Sequence, residues 1–183
     1  FTVYLYDTDS IVGVQPSAHR EQLRNRFLVA EASGVELAVS TSLLALVTPF
    51  TNTLGGTDIT SKLLCALGLV EQEVGLLTGN EGVIHLPKWI LPLVANALSE
   101  KSGVLRTTAG TPVAAYASWA GYTAGAVPTT AEIYGTGPML AHRGQAEYLA
   151  GTPDLKLNDI DTIAQRTYVV GWDCGAVAVN TTL

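Results

Sequence analysis

The chain has 183 residues, of which 48% are hydrophobic and only 14% are charged, and its formal net charge is −6 at pH 7. A chain of this length buries about 70% of its unfolded surface when it folds, so it suits one domain with a real core, or one compact domain with an elaborated subdomain. The acidic balance argues against a dedicated nucleic-acid-binding protein, because contacts with phosphate require a surplus of Lys and Arg.

The N-terminal part of the chain predicts a strand followed by a long helix. FTVYLY, residues 1–6, combines aromatic and β-branched residues, which is typical of a strand. Pro16 and Ser17 predict the start of a helix that ends near Ser40, with Ser17 as its N-cap. The apolar stripe of this helix consists of Leu23, Phe27, Ala30, Gly34 and Leu37. The polar residues fall mainly outside the stripe, so we expect a solvated face made of His19, Arg20, Glu21, Arg24, Arg26 and Glu31.

A second, more apolar helix is predicted after a loop. Residues 43–60 indicate the loop, because they are rich in Thr, Asn, Gly and Pro. The helix that follows stops at Gly79 and Asn80, residue types that adopt the left-handed conformation found at helix ends. Its apolar residues lie on nearly all sides, so we expect it to be largely buried. Leu63, Leu67, Val70, Val74 and Leu77 form one stripe, and Leu69 and Leu76 lie on the other side.

The segment from Gly82 to Leu86 predicts a short buried strand that leads into a third helix. Pro87 suits the first position of that helix, where the missing N–H group is not needed. Pro92 either kinks the helix or marks its true beginning, and Gly103 closes it.

The rest of the chain is predicted to be mostly β. VLRTT and PVAAYAS flank the turn AGT, which is typical of a β-hairpin. EIYGTG and PMLAHRG are two short extended segments, and TIAQRTYVVGWDCGAVAVNTTL ends the chain as alternating strand. The order of strand, helix, loop, helix and then mostly strands indicates the α+β class.

Few residues are arranged for catalysis. His85 has no neighbouring Asp, Glu or Cys apart from Glu81 beyond a glycine, so a hydrogen-bonded packing residue is favoured over a base or a metal ligand. His142 is similarly isolated beside Arg143. The sequence contains no GxSxG, HExxH, Walker, CxxC or EF-hand motif, and YGTGP lacks the third glycine of a phosphate-binding loop. We therefore expect no catalytic residue, no bound cofactor and no metal site.

The cysteines and the hydropathy of the chain indicate what kind of cellular environment it suits. Cys65 and Cys174 form no paired motif, so we interpret both as small buried hydrophobic residues. The sequence neither supports nor excludes a disulfide between them. No uninterrupted apolar segment approaches the roughly 18–20 residues of a membrane span, and the N-terminus lacks a signal-peptide pattern. We expect a soluble protein with no membrane partner. Met139 is the only methionine, so we expect that processing or truncation has removed a piece ahead of Phe1.

Four segments occur in an order that resembles one known family. They are GVIHLPKWILPLVANAL, GVLRTTAGTPVAAYASWAGY, EIYGTGPMLAHRG and IAQRTYVVGWDCGAVAV. Together with FLVAEASGVELAVSTS, which looks like the long helix of that family, they resemble the major capsid proteins of tailed phages, especially phages of actinobacteria. The resemblance covers nearly the whole chain. It implies the Hong Kong 97-like capsid fold, in which a peripheral P domain contains the long helix and an axial A domain contains mixed sheet and helices.

The resemblance also implies a division of the chain and two contact loops. Residues 1–42 and 139–183 would form the P domain and residues 43–138 the A domain, and neither an N-terminal arm nor an E-loop is recognisable. The loop GYTAGAVPTTA would approach a five- or six-fold axis, with the candidate contact residues Gly121, Tyr122, Val127 and Pro128. The loop GTPDLKLND would make a three-fold contact through Pro153, Asp154 and Lys156. The candidate core residues are His85, Trp89, Phe27 and Trp172.

The function that the resemblance implies is structural and not enzymatic. Copies of the chain would assemble in the host bacterial cytoplasm through pentamers and hexamers into the icosahedral capsid of a virion. That shell would enclose double-stranded DNA without sequence-specific binding, and portal, scaffold or decoration proteins would be further partners. The low charged fraction agrees with a shell subunit, which needs large lateral surfaces of modest polarity.

Several alternatives stay open from the sequence. An encapsulin shell, which houses enzymes instead of a genome, is the nearest alternative within the fold. A small α+β enzyme that uses His85 or His142 belongs to a different class, and a phage tail or decoration protein is a further alternative. Particle size separates these classes, because a shell forms megadalton assemblies.

Overall fold

The structure of the protein is a computed structural model that describes residues 1–10, 16–79, 81–123, 125–151, 156–173 and 175–183. Over these ranges the chain forms two α-helices, two short 3-10 helices and eleven strands, which confirms the predicted α+β class. The elements, in chain order, are β1 (Thr2–Ser10), α1 (Pro16–Leu46), β2 (Phe50–Asn52), α2 (Ile59–Thr78), β3 (Val83–Pro87), the 3-10 helices Lys88–Leu93 and Ala95–Ala97, β4 (Leu98–Lys101), β5 (Val104–Thr107), β6 (Val113–Tyr116), β7 (Thr130–Thr136), β8 (Met139–Arg143), β9 (Glu147–Ala150), β10 (Asp159–Trp172) and β11 (Ala176–Thr182).

The chain divides into two compact units. The first unit consists of Phe1–Val35 and Ala141–Val170, and the second consists of Glu36–Leu140 and Gly171–Leu183. Each unit has its own sheet and its own cluster of buried apolar side chains. Helix α1 and strands β8 and β10 contribute residues to both units.

The first unit packs α1 against a four-stranded sheet. Strand β10 pairs antiparallel with β1 along the whole length of β1, and it also pairs with β8 and β9. Because side chains alternate along a strand, every second residue of β1 faces the helix. Leu23 and Phe27 of α1 pack there against Val3, Leu5 and Ala164. These contacts form the core of the first unit.

Two polar residues of α1 are buried, although the sequence pattern places them on a solvated face. His19 and Glu31 are each only 6% exposed. They extend the four-residue repeat of Leu23 and Phe27, so all four side chains share one face of the helix. The predicted stripe is therefore right at Leu23 and Phe27 and wrong beyond them, since Ala30 and Leu37 are exposed. The other charged residues of the predicted solvated face, Arg20, Glu21, Arg24 and Arg26, are exposed as expected.

The second unit is built on a five-stranded mixed sheet with the strand order β2-β11-β7-β3-β6. The β2–β11 and β3–β6 pairs are parallel, and the other two pairs are antiparallel. Helix α2 packs on this sheet. The core between them consists mainly of Leu63, Ala66, Leu67, Val70 and Val74 from α2, and Ile84, Leu86, Ile133 and Val179 from the sheet.

Helix α2 has well-defined ends. The Asp58 carboxylate accepts a hydrogen bond from the Ser61 N–H group at 2.9 Å, which caps the first turn. Gly79 ends the helix in the left-handed conformation (φ 63°), as the sequence predicts. The expectation that α2 is buried nearly all round is wrong, because Leu76 is 70% exposed and Leu77 is 46% exposed.

The predicted third helix is absent from the described residues after Pro87. Residues 88–97 form two 3-10 helices, with Pro92 inside the first. Gly103 does not end a helix: together with Ser102 it forms the two-residue turn between β4 and β5, where both residues have positive φ. The hairpin of this region is therefore β4–β5.

The hairpin predicted around AGT is also wrong. A single bridge, between Arg106 and Pro112, links the strands on either side of that turn. Strand β6 instead pairs in parallel with β3, a contact that joins segments far apart along the chain. The predicted loop over residues 43–60 likewise contains the last turn of α1 and the short strand β2.

The apolar character of α1 corrects one further expectation. Over Ser17–Leu46 the helix is long and apolar enough to cross a membrane, with a mean hydropathy of 1.4 in an 18-residue window of which 28% is buried. Length and composition alone give this signal, and core helices of soluble proteins and signal sequences give it too. It assigns no membrane location by itself.

Candidate interaction site

The segment over residues 117–130 links β6 to the first residue of β7 and is called here the 117–130 loop. It contains the four residues predicted to lie near an axis of symmetry. Val127 is 88% exposed and Tyr122 is 42% exposed. Gly121 is also exposed, whereas Pro128 is half-buried. The loop therefore presents an aromatic ring and an aliphatic side chain to solvent.

Two residues of α1 hold the start of this loop in place. The Glu36 carboxylate accepts hydrogen bonds from the backbone N–H groups of Ala117 and Ser118, both at 2.9 Å. The Ser40 hydroxyl accepts one from the N–H group of Ala120, also at 2.9 Å. Three backbone N–H groups at the start of the loop are thus held by acceptors on a helix, two of them by a charged carboxylate. Sequence reasoning missed both anchors, because their partners lie about 80 residues further along the chain.

A groove of about 310 Å³ lies between this loop and the first 3-10 helix. Trp89 and Trp119 form part of its wall, and the exposed side chains of Tyr122 and Val127 border it. Among the described residues that line the groove, Glu132 is the only charged one. The groove therefore combines aromatic and aliphatic side chains with three threonines, Thr123, Thr129 and Thr130, and a single carboxylate.

His85 lies in an aromatic cluster next to Trp119. Its ring stacks on Tyr116 with centroids 5.8 Å apart, and Tyr116 in turn contacts Trp119 at 5.5 Å. Nδ1 of His85 lies 2.7 Å from the Tyr116 hydroxyl, and Nε2 lies 2.9 Å from the Thr136 hydroxyl. Thr136 donates its one proton to the carbonyl of Gly137. Nε2–H of His85 therefore donates to Thr136, and Nδ1 accepts the hydrogen bond of Tyr116.

The surroundings of His85 leave it no free nitrogen for chemistry. Its side chain is fully buried, and this burial lowers the pKa of His85 to about 4, so the ring is neutral at pH 7. Burial also raises the pKa of the Tyr116 phenol, with a smaller contribution from the charge of Glu36. A general base needs a nitrogen within reach of a substrate, and both ring nitrogens of His85 are already engaged by hydroxyl groups. The burial and hydrogen bonds of His85 therefore support its interpretation as a packing residue.

The first unit contains a second buried polar cluster, centred on Glu31. Its carboxylate pairs with Arg166 at 2.6 Å and with Arg143 at 2.9 Å, and the Tyr168 hydroxyl donates to it as well. Burial raises the pKa of Tyr168. A buried carboxylate requires such partners, because an unpaired charge in the interior is strongly unfavourable. The three partners lie 112, 135 and 137 residues beyond Glu31, so no local pattern reveals them.

The remaining predicted residues lie in different environments. Phe27 is fully buried, Trp89 and Trp172 are half-buried, and Lys156 is exposed. Pro153, Asp154 and Cys174 lie outside the described residues. Cys65 is a half-buried free thiol. Within the described part of the chain, no three His, Cys, Asp or Glu side chains are grouped to hold a metal ion.

Comparison with solved structures identifies the fold. The mature capsid of bacteriophage PhiM1 matches 100% of this chain and 71% of its own chain, with a TM-score of 0.53 and 11% sequence identity. The structure of Mycobacterium phage Ogopogo matches 100% of this chain and 75% of its own, with a TM-score of 0.53 and 16% identity. The chain has the Hong Kong 97-like capsid fold. The fold implied by the order of the sequence motifs is thereby confirmed.

The Hong Kong 97-like fold of this chain is also similar to that of a bacterial compartment. The holo-SrpI encapsulin complex from Synechococcus elongatus PCC 7942 matches 98% of this chain and 72% of its own chain, with a TM-score of 0.60 and 12% identity. No protein-family model and no curated protein matches the sequence. The capsid fold is therefore recognised through its three-dimensional arrangement.

Proposed function

We propose that this chain is a major capsid protein of a tailed phage, whose copies assemble through pentamers and hexamers into an icosahedral shell around double-stranded DNA. The observation that carries the proposal is the fold, which the PhiM1 mature capsid shares over 100% of this chain. Because a fold alone does not determine a function, the surface of the chain must also suit self-assembly.

The exposed apolar side chains support assembly with other copies. Scattered apolar residues are ordinary on a protein surface, but large apolar areas usually mark interaction sites. In this chain α1 and the 117–130 loop both expose large apolar residues to solvent, and these include Leu28, Val29, Leu37, Leu46, Tyr122 and Val127. Lateral surfaces of modest polarity are what a subunit with several identical neighbours needs.

The charge of the chain suits the enclosure of DNA without reading its sequence. A net charge of −6 gives no general attraction for phosphate, so the wall of a shell made from this chain would not hold the genome tightly. The same proposal places the protein in the virion, after assembly in the host cytoplasm. Portal, scaffold or decoration proteins are its proposed further partners.

The proposal includes a division into a P domain (residues 1–42 and 139–183) and an A domain (residues 43–138). The first compact unit, Phe1–Val35 with Ala141–Val170, falls within the proposed P domain and supports that part of the division. Residues 171–183 join the sheet of the second unit through β11. Residues 36–42 and 139–140, which the division assigns to the P domain, also belong to the second unit. A structure of the assembled particle therefore has to test these boundaries of the P domain.

The contact loops are part of the same proposal. We place Gly121, Tyr122, Val127 and Pro128 at the five- or six-fold axis and Pro153, Asp154 and Lys156 at the three-fold contact. The exposure of the 117–130 loop and its fixed start on Glu36 and Ser40 support the first placement. A loop that is held by a helix and ends in exposed apolar side chains can present the same surface in every copy.

An encapsulin shell is the second candidate function. The similarity to the SrpI encapsulin complex, with a TM-score of 0.60, favours it about as much as the phage structures favour a capsid. The contents of the particle separate the two. Nuclease-protected double-stranded DNA inside native particles supports the phage capsid, and a packaged protein supports the encapsulin.

Size-exclusion chromatography followed by negative-stain electron microscopy tests the proposed function. We expect megadalton material that appears as closed particles of uniform diameter. A single sharp peak at the 19.2 kDa of one chain, with no particles on the grid, would contradict both shell proposals.

A further inference from the structure

We propose that the tip of the β4–β5 hairpin of one copy occupies the groove beside the 117–130 loop of the next copy. This inference rests on the proposed function, because it names the contact through which neighbouring copies join side by side. The hairpin and the groove both belong to the second unit, and the residues at the hairpin tip are not among those that line the groove.

The hairpin tip is narrow and presents a cation beside an aliphatic side chain. Ser102 and Gly103 have φ values of 55° and 74°, and two positive φ values are typical of the tight type I′ turn. Lys101 and Val104 are directly opposite each other on either side of this turn, so their side chains lie on the same face of the hairpin. Both are exposed, Val104 to 41%.

The groove offers the complementary chemistry. Trp89 and Trp119 in its wall suit the side chain of Val104 and the methylene groups of Lys101. Glu132, the only charged residue among the described groove residues, suits the ammonium group at the end of Lys101. A single cation opposite the single carboxylate of a partly apolar groove fixes the register of a contact and disfavours other registers.

A contact between two different surfaces of the chain can join several copies into a ring. The hairpin tip and the groove are different surfaces of one chain, so each copy donates a tip to one neighbour and receives a tip from the other. Such a head-to-tail contact closes into a ring when the rotation between copies fits, and it continues as a filament when it does not. A hairpin-to-groove contact thus supplies the association that pentamers and hexamers require.

Charge reversal tests the pairing of Lys101 with Glu132. We expect Lys101→Glu to reduce the yield of assembled particles about tenfold or more, because it places two carboxylates together in the groove. Combining it with Glu132→Lys should restore most of the yield. Glu100→Lys is the matched control: Glu100 is exposed on the same hairpin, but it pairs with Leu105 and points to the opposite face, so its reversal should leave the yield unchanged.

Folding and assembly are separated by circular dichroism on each variant. Glu132 accepts a hydrogen bond from the Tyr134 hydroxyl at 2.9 Å, so Glu132→Lys alone can also lower stability. Lys101→Glu lies at an exposed turn, and we expect it to fold normally. If folded Lys101→Glu assembles as well as the wild-type chain, the hairpin contact is overturned while the shell function stands. A monomeric wild-type chain overturns both.

Disulfide trapping gives an independent measure of the same contact. We expect the double variant Val104→Cys, Ala126→Cys to form a ladder of covalent multimers on a non-reducing gel, because Ala126 lines the groove. A mixture of the two single variants should form dimers only. Each single variant by itself reports the background from Cys65 and Cys174. A double variant that stays monomeric, or that forms its disulfide within one chain, overturns the proposal.

Discussion

His85 shows how one buried residue couples the stability of the second unit to pH. Nδ1 of His85 accepts a hydrogen bond from Tyr116, which requires the neutral ring, and Nε2–H donates one to Thr136. Burial lowers the pKa of His85 from 6.5 to about 4 in the folded state. An unfolded chain therefore binds a proton at His85 more readily than the folded chain does.

We expect the free energy of unfolding to fall as the pH drops from about 6.5 to about 4, because the unfolded state gains the proton over this window. The contribution of His85 is fully present above the unfolded pKa and amounts to about 3 kcal/mol. Denaturant unfolding at a series of pH values measures it. His85→Gln, which keeps one donor and one acceptor without a titrating group, should remove this part of the slope, and an unchanged slope would contradict the assignment.

Glycines at the helix–sheet contact of the second unit determine how closely two elements approach. A Cβ atom at Gly135 in β7 would lie 2.0 Å from a methyl group of Val74 and 2.9 Å from one of Val70, both in α2. At Gly68, on the exposed side of α2, a Cβ atom would meet nothing within 4 Å. A side chain at Gly135 would therefore collide with α2, whereas α2 has room for a side chain at Gly68.

We expect Gly135→Ala to destabilise the protein by about 1–3 kcal/mol, because the added methyl group overpacks the core. Gly68→Ala should stabilise it by up to about 1 kcal/mol, since alanine is the better residue within a helix. Thermal unfolding followed by circular dichroism measures both. Equal melting temperatures for the two variants would show that β7 and α2 are further apart than described.

The anchor between α1 and the 117–130 loop allows a test of how the loop is positioned. Removing the Glu36 carboxylate leaves the N–H groups of Ala117 and Ser118 without their acceptor. We expect Glu36→Ala to cost about 1.5–3 kcal/mol locally and to speed hydrogen exchange at these two amides, with a loss of assembled particles. Glu21→Ala, at an exposed position of the same helix, serves as the control. Unchanged exchange in Glu36→Ala would remove the role of this residue in holding the loop.

Elements with strong local signals could be predicted from the sequence. Strands β1, β3 and β7 and helix α2 with its Gly79 end follow from periodicity and turn residues. The pairing of β3 with β6 and of β2 with β11 could not be predicted, because parallel strands are joined by long connections that leave no local pattern.

The polar residues that organise the two units escaped prediction for the same reason. His19 bonds to Thr162, which is 143 residues away, and Glu31 bonds to residues more than 100 positions away. A helical pattern assigns polar residues to the solvated face unless their distant partners are known. The groove beside the 117–130 loop combines segments from Leu44 to Glu132, so only the folded chain brings it together.

The whole molecule is expected to gain stability from its neighbours. If folded copies associate and unfolded copies do not, the melting temperature rises with protein concentration. We expect a rise of about 3–6 °C for each tenfold increase in concentration, since a tenfold change is worth about 1.4 kcal/mol and a domain of this size gains about 2–4 °C per kcal/mol. For Lys101→Glu, in which the proposed hairpin contact is weakened, we expect a smaller rise over the same concentrations. Differential scanning calorimetry over a hundredfold concentration range measures both chains. A wild-type melting temperature that stays constant over that range would mean that the fold of a single copy supplies all of its stability, which is incompatible with a shell held together by its subunits.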